Sequence, residues 1–254
     1  MNNNDENHIS LVITTYNWVE ALAQVVEAIR QQTVMPVEVI IADDGSGQET
    51  ADYIQKESSH FPIPLIHVWH PDNGFQRSVI LNKAIATASG KYIVQIDGDV
   101  IPERHFIQDH RAMMEKGAFV CGSRSKLTSV GKLEPSHIIN SIRCPLLSRL
   151  FANRYGKHIG THMRGCNLAF WKEDFIAVNG YNEDMTGWGY EDSELAYRMY
   201  YHGCRKKVLK FGGIVRHIWH LENAARNRDK NWAIQVETVE KHRQWCTNGV
   251  DKYL

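Results

Sequence analysis

The sequence predicts an α/β protein: one compact domain with a mostly parallel central sheet and helices on both faces. Short apolar, β-branched runs alternate with segments whose apolar residues recur at helical spacing, and strand, helix, strand is the βαβ unit of a parallel sheet with right-handed crossovers. At 254 residues the chain fits a single large domain of this kind. Its 43% hydrophobic and 23% charged residues are those of an ordinary globular protein, which sets aside disorder and a membrane-embedded class.

Ile9 to Thr15 is a continuous apolar run and reads as a buried strand. Ala21, Leu22, Val25, Val26 and Ile29 then recur at helical spacing as far as Gln31 and Gln32. Val37 to Ala42 is a second buried strand, ending in Asp43-Asp44-Gly45-Ser46-Gly47. Thr50 to Glu57 predicts a helix, Pro64 to Val68 a strand, and Phe75 to Ala88 a helix stopped by Ser89-Gly90. Lys91 to Ile96 is the next strand and delivers Asp97-Gly98-Asp99. Polar groups thus collect at the carboxyl ends of successive strands, the edge where open α/β sheets bind ligands. Beyond Pro102 the pattern gives a helix near Arg104 to Met114, a strand near Phe119 to Gly122 and a Lys- and Arg-rich stretch from Ser123 to Lys157 that suits an acceptor-facing region. Cys166 to Trp171 reads as a strand, Glu191 to Tyr201 as a helix closed by Gly203, and Ile214 to Ile218 as a last strand. From Glu222 to Trp245, Ala225, Trp232, Val236, Val239 and Trp245 predict a terminal amphipathic helix, a surface open to a membrane or a partner subunit as well as to ordinary packing.

Several function classes drop out. Lys+Arg and Asp+Glu balance at 29 each, so there is no overall basic field for a nucleic acid backbone. Five dispersed cysteines without a C-x-x-C pair fit neither a disulfide framework nor a zinc site. Met1 to Ser10 is polar, and no run approaches the ~18 apolar residues of a spanning helix, so a cytoplasmic setting is expected, with peripheral attachment at the inner membrane face left open. Neither G-x-G-x-x-G nor a P-loop is present, so a bound nucleotide would need a metal on its phosphates.

What remains is a set of acids. Asp97 and Asp99 flank Gly98 on a turn after a buried strand, where two carboxylates reach one ligand and suit a hard divalent cation. Asp43-Asp44 repeats the arrangement, although Asp44-Gly45-Ser46-Gly47 is equally good turn chemistry. In Gly187-Trp188-Gly189-Tyr190-Glu191-Asp192, Trp188 offers a ring for stacking on a sugar. Glu191 and Asp192 stand at a helix start, whose dipole favours ionised carboxylates able to take a proton from a hydroxyl. Either His217 or His220 could add a metal ligand, while His67 and His70 share that spacing.

These pieces run in the order of a known family. Val12 to Asn17, Ile40 to Ser46, Asn82-Lys83-Ala84, Gln95 to Asp99, Gly165 to Phe170, Asn179-Gly180-Tyr181 and Gly187 to Glu194 together resemble the family 2 inverting glycosyltransferases of GT-A type. The second half is similar to chondroitin-polymerase domains and β-1,4-galactosyltransferases. The resemblance implies a metal-dependent transfer of a hexose or N-acetylhexosamine from a UDP-sugar to a saccharide or lipid-linked saccharide acceptor, in cell-surface polysaccharide or glycolipid synthesis. It implies that Thr14, Tyr16 and Asp44 hold the nucleoside with Arg77 beside them, that Asp97 reaches the ribose, and that Asp99 and His217 bind Mn²⁺ or Mg²⁺. Asp192 becomes the base, and Glu191 and Trp188 bind donor sugar or acceptor. Residues 1–100 form the nucleotide-binding half, 101–221 the acceptor and catalytic half, and 222–254 the terminal helix. The competing reading is an inactive sugar-nucleotide or glycan-binding subunit. A glycoside hydrolase would not need the D-x-D or the nucleotide edge, and a sugar nucleotidyltransferase would show a Gly-rich basic loop where Thr15-Tyr16-Asn17-Trp18 stands.

Overall fold

The computed structural model describes residues 8–153, 159, 163–221 and 228–254. Seven strands form the main sheet: β1 (Ile9–Thr15), β2 (Glu38–Asp43), β3 (Leu65–Trp69), β4 (Tyr92–Asp97), β6 (Ala118–Gly122), β8 (Asn167–Trp171) and β9 (Arg205–Leu209). Their order is β3-β2-β1-β4-β8-β6-β9. β3, β2, β1 and β4 are mutually parallel and β6 is parallel to β9, while β8 runs antiparallel to both its neighbours. The expected mostly parallel sheet is therefore present.

A parallel strand buried on both faces needs apolar side chains at every position. Leu11 and Ile13 of β1 enter one core, with Leu22, Val25 and Ile29 of α1 (Val19–Arg30) and Ile54 of α2 (Gln48–Ser58). Val12 enters the other, with Ile80, Leu81 and Ala84 of α3 (Arg77–Thr87), Phe175 of α6 (Lys172–Ala177) and Leu195 of α7 (Glu191–Tyr201). Helices cover both faces, as the alternation of elements predicts.

A second sheet of three short strands, β5 (Val100–Pro102), β10 (Val215–His217) and β7 (Arg124–Lys126), in the order β5-β10-β7, leans over the end of β4. Its antiparallel pairing sets His217 opposite Val100, one residue past Asp99. α4 (Phe106–Met113) forms where a helix near Arg104 to Met114 is predicted, and the basic stretch after Ser123 also contains a 3₁₀ turn at Pro135–Ser141 and α5 (Pro145–Phe151).

The terminal helix differs from expectation. α8 spans Arg228–Glu240, so Trp245 lies beyond it, and the predicted start at Glu222 with Ala225 falls outside the described residues, as does the end of the basic stretch at Lys157. The buried stripe of α8 is Asn231, Gln235 and Thr238, while Trp232 is 49% exposed. The reason is the polar backbone and acids of α7 that it must meet: Asn231 donates to the Gly189 carbonyl at 2.9 Å, Thr238 to Glu194 at 3.0 Å, and Gln235 accepts from Ser193.

Candidate active site

The parallel register sets Thr14 beside Asp97, and the Thr14 hydroxyl donates to Asp97 Oδ1 at 3.0 Å. Gly98 permits the turn that follows, because a Cβ there would stand 2.5 Å from the Thr14 carbonyl oxygen. Across the crevice, α7 opens with Tyr190 at φ 70° after Gly189 at φ 111°, a left-handed entry that aims Glu191 and Asp192 back at the sheet.

Arg77, buried at the start of α3, joins the two sides. Its guanidinium lies 2.8 Å from Asp97 Oδ1, 2.9 Å from Asp192 Oδ1 and 3.6 Å from Glu191 Oε1. Burial alone would lower the arginine, but the facing acids, Asp192 first, hold it charged. Asp192 is fixed further by the Gly165 N–H donating to Oδ2 at 2.9 Å and by the Tyr181 hydroxyl 3.1 Å from Oδ1. Glu191 accepts from the Gly189 N–H at 2.9 Å, and burial, then the charge of Asp192, push its carboxyl up to about 7. A carboxyl raised in this way inside a crevice is a pattern suited to sites that move protons.

Asp99 Oδ2 lies 3.2 Å from His217 Nε2 and 3.1 Å from His220 Nε2. Burial would raise the Asp99 carboxyl, but the hydrogen bond and charge of His217, then those of His220, hold it below the usual carboxylate range. One ligand atom from each of the three residues lies within 4.8 Å of the others, and the buried Asp99 Oδ1 has no hydrogen-bond partner among the described residues. One carboxylate and two imidazoles with a spare buried oxygen fit a divalent cation. Both histidines sit equally close, so the geometry does not favour His217 over His220.

At the far side of the crevice, Asp44 is 2.7 Å from His70 Nε2 and accepts from the Gln76 N–H at 2.9 Å, while Lys83 Nζ stands 3.4 Å from the other nitrogen of His70. Burial pushes the Asp44 carboxyl up, and these two hydrogen bonds pull it down. Asp43, by contrast, serves the turn, accepting from the Ser46 N–H at 2.8 Å and facing His67 at 2.9 Å. Tyr16, exposed on the rim, donates to Asp72 at 2.9 Å. Trp188 is 54% exposed and free to meet a ligand. Arg77, expected as a further contact to the nucleoside, makes its ion pairs among the described residues with Asp97, Glu191 and Asp192. The sequence gives no role to Gln76, His70, Gly165 or Tyr181, although the last two lie in the segments that carry the resemblance; their contacts are made across long sequence separations that spacing does not reveal.

Residues 10–177 match the family model described as glycosyl transferase family 2, and residues 148–222 match that of the N-terminal domain of galactosyltransferase. The chain is 26% identical over 225 residues to a chondroitin synthase of Escherichia coli, covering 77% of this chain and 32% of the synthase. It is 26% identical over 227 residues to a validoxylamine A glucosyltransferase of Streptomyces hygroscopicus subsp. limoneus, covering 80% of this chain and 50% of that one. The chain therefore spans about a third to a half of the length of these relatives. Among solved structures, S. aureus TarS 1-349 in complex with UDP-GlcNAc is similar at a TM-score of 0.61 and 15% identity, covering 85% of this chain and 59% of that chain. GalNAc-T7 with UDP, GalNAc and Mn²⁺ is similar at 0.68 and 17%, covering 91% and 47%. At these identities the likeness to the solved structures is one of fold.

Proposed function

The chain belongs to glycosyl transferase family 2 and is a glycosyltransferase, and from that premise we propose that it moves a hexose or N-acetylhexosamine from a UDP-sugar to a saccharide or lipid-linked saccharide hydroxyl, with inversion and dependence on a divalent metal. Residues 1–100 serve the nucleotide, 101–221 the acceptor and the chemistry, and 222–254 carry the helix that braces α7. The product belongs to cell-surface polysaccharide or glycolipid synthesis.

The observation that carries this reading is Arg77 joining Asp97 at the nucleotide edge to Asp192 at the start of α7, with the Asp99 histidine cluster alongside. Thr14, Tyr16 and Asp44 hold the nucleoside, and Asp97 meets the ribose. Asp192, held by Arg77, Tyr181 and Gly165, takes the proton from the acceptor hydroxyl as that oxygen attacks the anomeric carbon from the face opposite the leaving diphosphate. Glu191 and Trp188 seat the sugar. Mn²⁺ or Mg²⁺ held by Asp99 with His217 or His220 would supply Lewis-acid stabilisation of the departing diphosphate. No second acid is then required.

Calorimetric titration across a panel of nucleotide sugars, with and without Mn²⁺, tests the donor and the metal together. We expect one UDP-sugar to bind only with the metal, and Asp99→Ala to abolish that binding. Binding of no donor under any metal condition would instead support a glycan-binding subunit.

A further inference from the structure

Charge is segregated along this chain. Between Glu134 and Glu173 there is no carboxylate, yet Arg143, Arg149, Arg154, Lys157, Arg164 and Lys172 all fall there, in a sequence whose acids and bases balance at 29 each. From Pro135 to Leu150 the stretch also leaves most of its aliphatic side chains exposed. The 3₁₀ turn Pro135–Ser141 buries no residue and α5 buries only Ser148. Ile138, Ile139 and Ile142 are exposed, and Leu146 and Leu150 are 70% and 66% exposed. The two leucines lie four residues apart, on one face of α5.

Polar anchors hold this face outward. Ser148 donates to the Lys210 carbonyl at 2.6 Å, the Cys144 N–H donates to the Phe211 carbonyl at 2.8 Å, and Arg143 grips Asp109 at 2.7 Å. Arg149, exposed beside Leu150, has no ion pair among the described residues. Exposed aliphatic groups clustered in this way mark an interaction surface.

We propose that α5, with the Pro135–Ser141 turn that precedes it, seats on the surface of an anionic lipid bilayer. Aliphatic side chains at the headgroup boundary and basic side chains against lipid phosphates are the two halves of such binding. A second copy of this chain fits less well, since a two-fold contact would set like charges such as Arg149 against one another. The segment leaves the small sheet at β7, where Lys126 pairs with His217, so a membrane-held acceptor would arrive beside the candidate metal cluster. Trp232 of α8, half exposed, has its ring 5.1 Å from that of Tyr190. The proposal goes beyond the transfer reading and does not depend on it.

Co-sedimentation of the full chain with vesicles of equal parts phosphatidylglycerol and phosphatidylcholine, and with phosphatidylcholine alone, tests this directly, with circular dichroism reporting folding. The wild type should pellet with the anionic vesicles only. Leu146→Glu with Leu150→Glu should stay folded and lose affinity roughly tenfold or more, Arg149→Glu should lose less, and Trp232→Ala should bind as the wild type does. No pelleting of the wild type with anionic vesicles overturns the proposal. So does equal pelleting of the folded double variant, or a dimer in gel filtration that this variant dissociates without any vesicle binding.

Discussion

A guanidinium buried among three carboxylates determines what a substitution at position 77 does. Arg77→Met leaves Asp97, Glu191 and Asp192 facing one another without their cation, and removing one partner of a buried ion pair typically costs about 3 kcal/mol or more. Urea unfolding at pH 7.5 should show that loss, and Arg77→Lys should recover only part of it, because an ammonium cannot fork between Asp97 and Asp192. Glu191 gives a second, pH-dependent signal. Burial and Asp192 raise its carboxyl from the usual range to about 7 in the folded, ligand-free protein, so the folded state favours its proton and loses stability as pH rises from about 4.5 through 7. The melting-temperature gain of Glu191→Gln over wild type should therefore be largest above pH 7 and vanish toward pH 4.5. Gly165 supplies a steric test: a Cβ there would stand 2.0 Å from both Asp192 oxygens, so Gly165→Ala should cut turnover about a hundredfold while donor binding persists. The acids themselves are legible in the sequence because they end apolar strands or open a helix. Gly165 and Tyr181 are not, since their roles come from approach across the fold.

At the scale of elements, strands buried on both faces are legible because burial demands unbroken apolar runs, as in β1, β2 and β4. β9 is hidden because Lys206 and Lys207 are buried by their stems while their amines reach the Ile159 carbonyl at 2.9 Å and the Met113 carbonyl at 3.1 Å. β5 and β7 have three residues each, too few to show a period, whereas β10 lies within the strand predicted at Ile214 to Ile218. α8 misleads an apolar reading because its seam with α7 is polar. That seam holds the segment that carries the proposed base, since Asn231 caps the Gly189 carbonyl just before Glu191. Asn231→Ala should cost about 1–3 kcal/mol in chemical denaturation, the range for stranding a buried partner.

For the whole molecule, two cores on either side of one sheet leave the carboxyl ends of β1, β2 and β4 as a fixed ledge, with α7 and the small sheet closing over it. The ledge is readable from the sequence as a ligand-binding edge. The small sheet and the α8 brace are what bring Asp99, His217, His220 and Asp192 into one crevice, and neither follows from local pattern. The central claim is that this crevice transfers a sugar with Asp192 as its base. Steady-state turnover of the donor identified by titration, measured beside donor affinity in Asp192→Asn, tests it most directly. The account predicts a loss of turnover of at least about a thousandfold with affinity unchanged. Turnover within a few-fold of wild type would contradict it and place the base elsewhere.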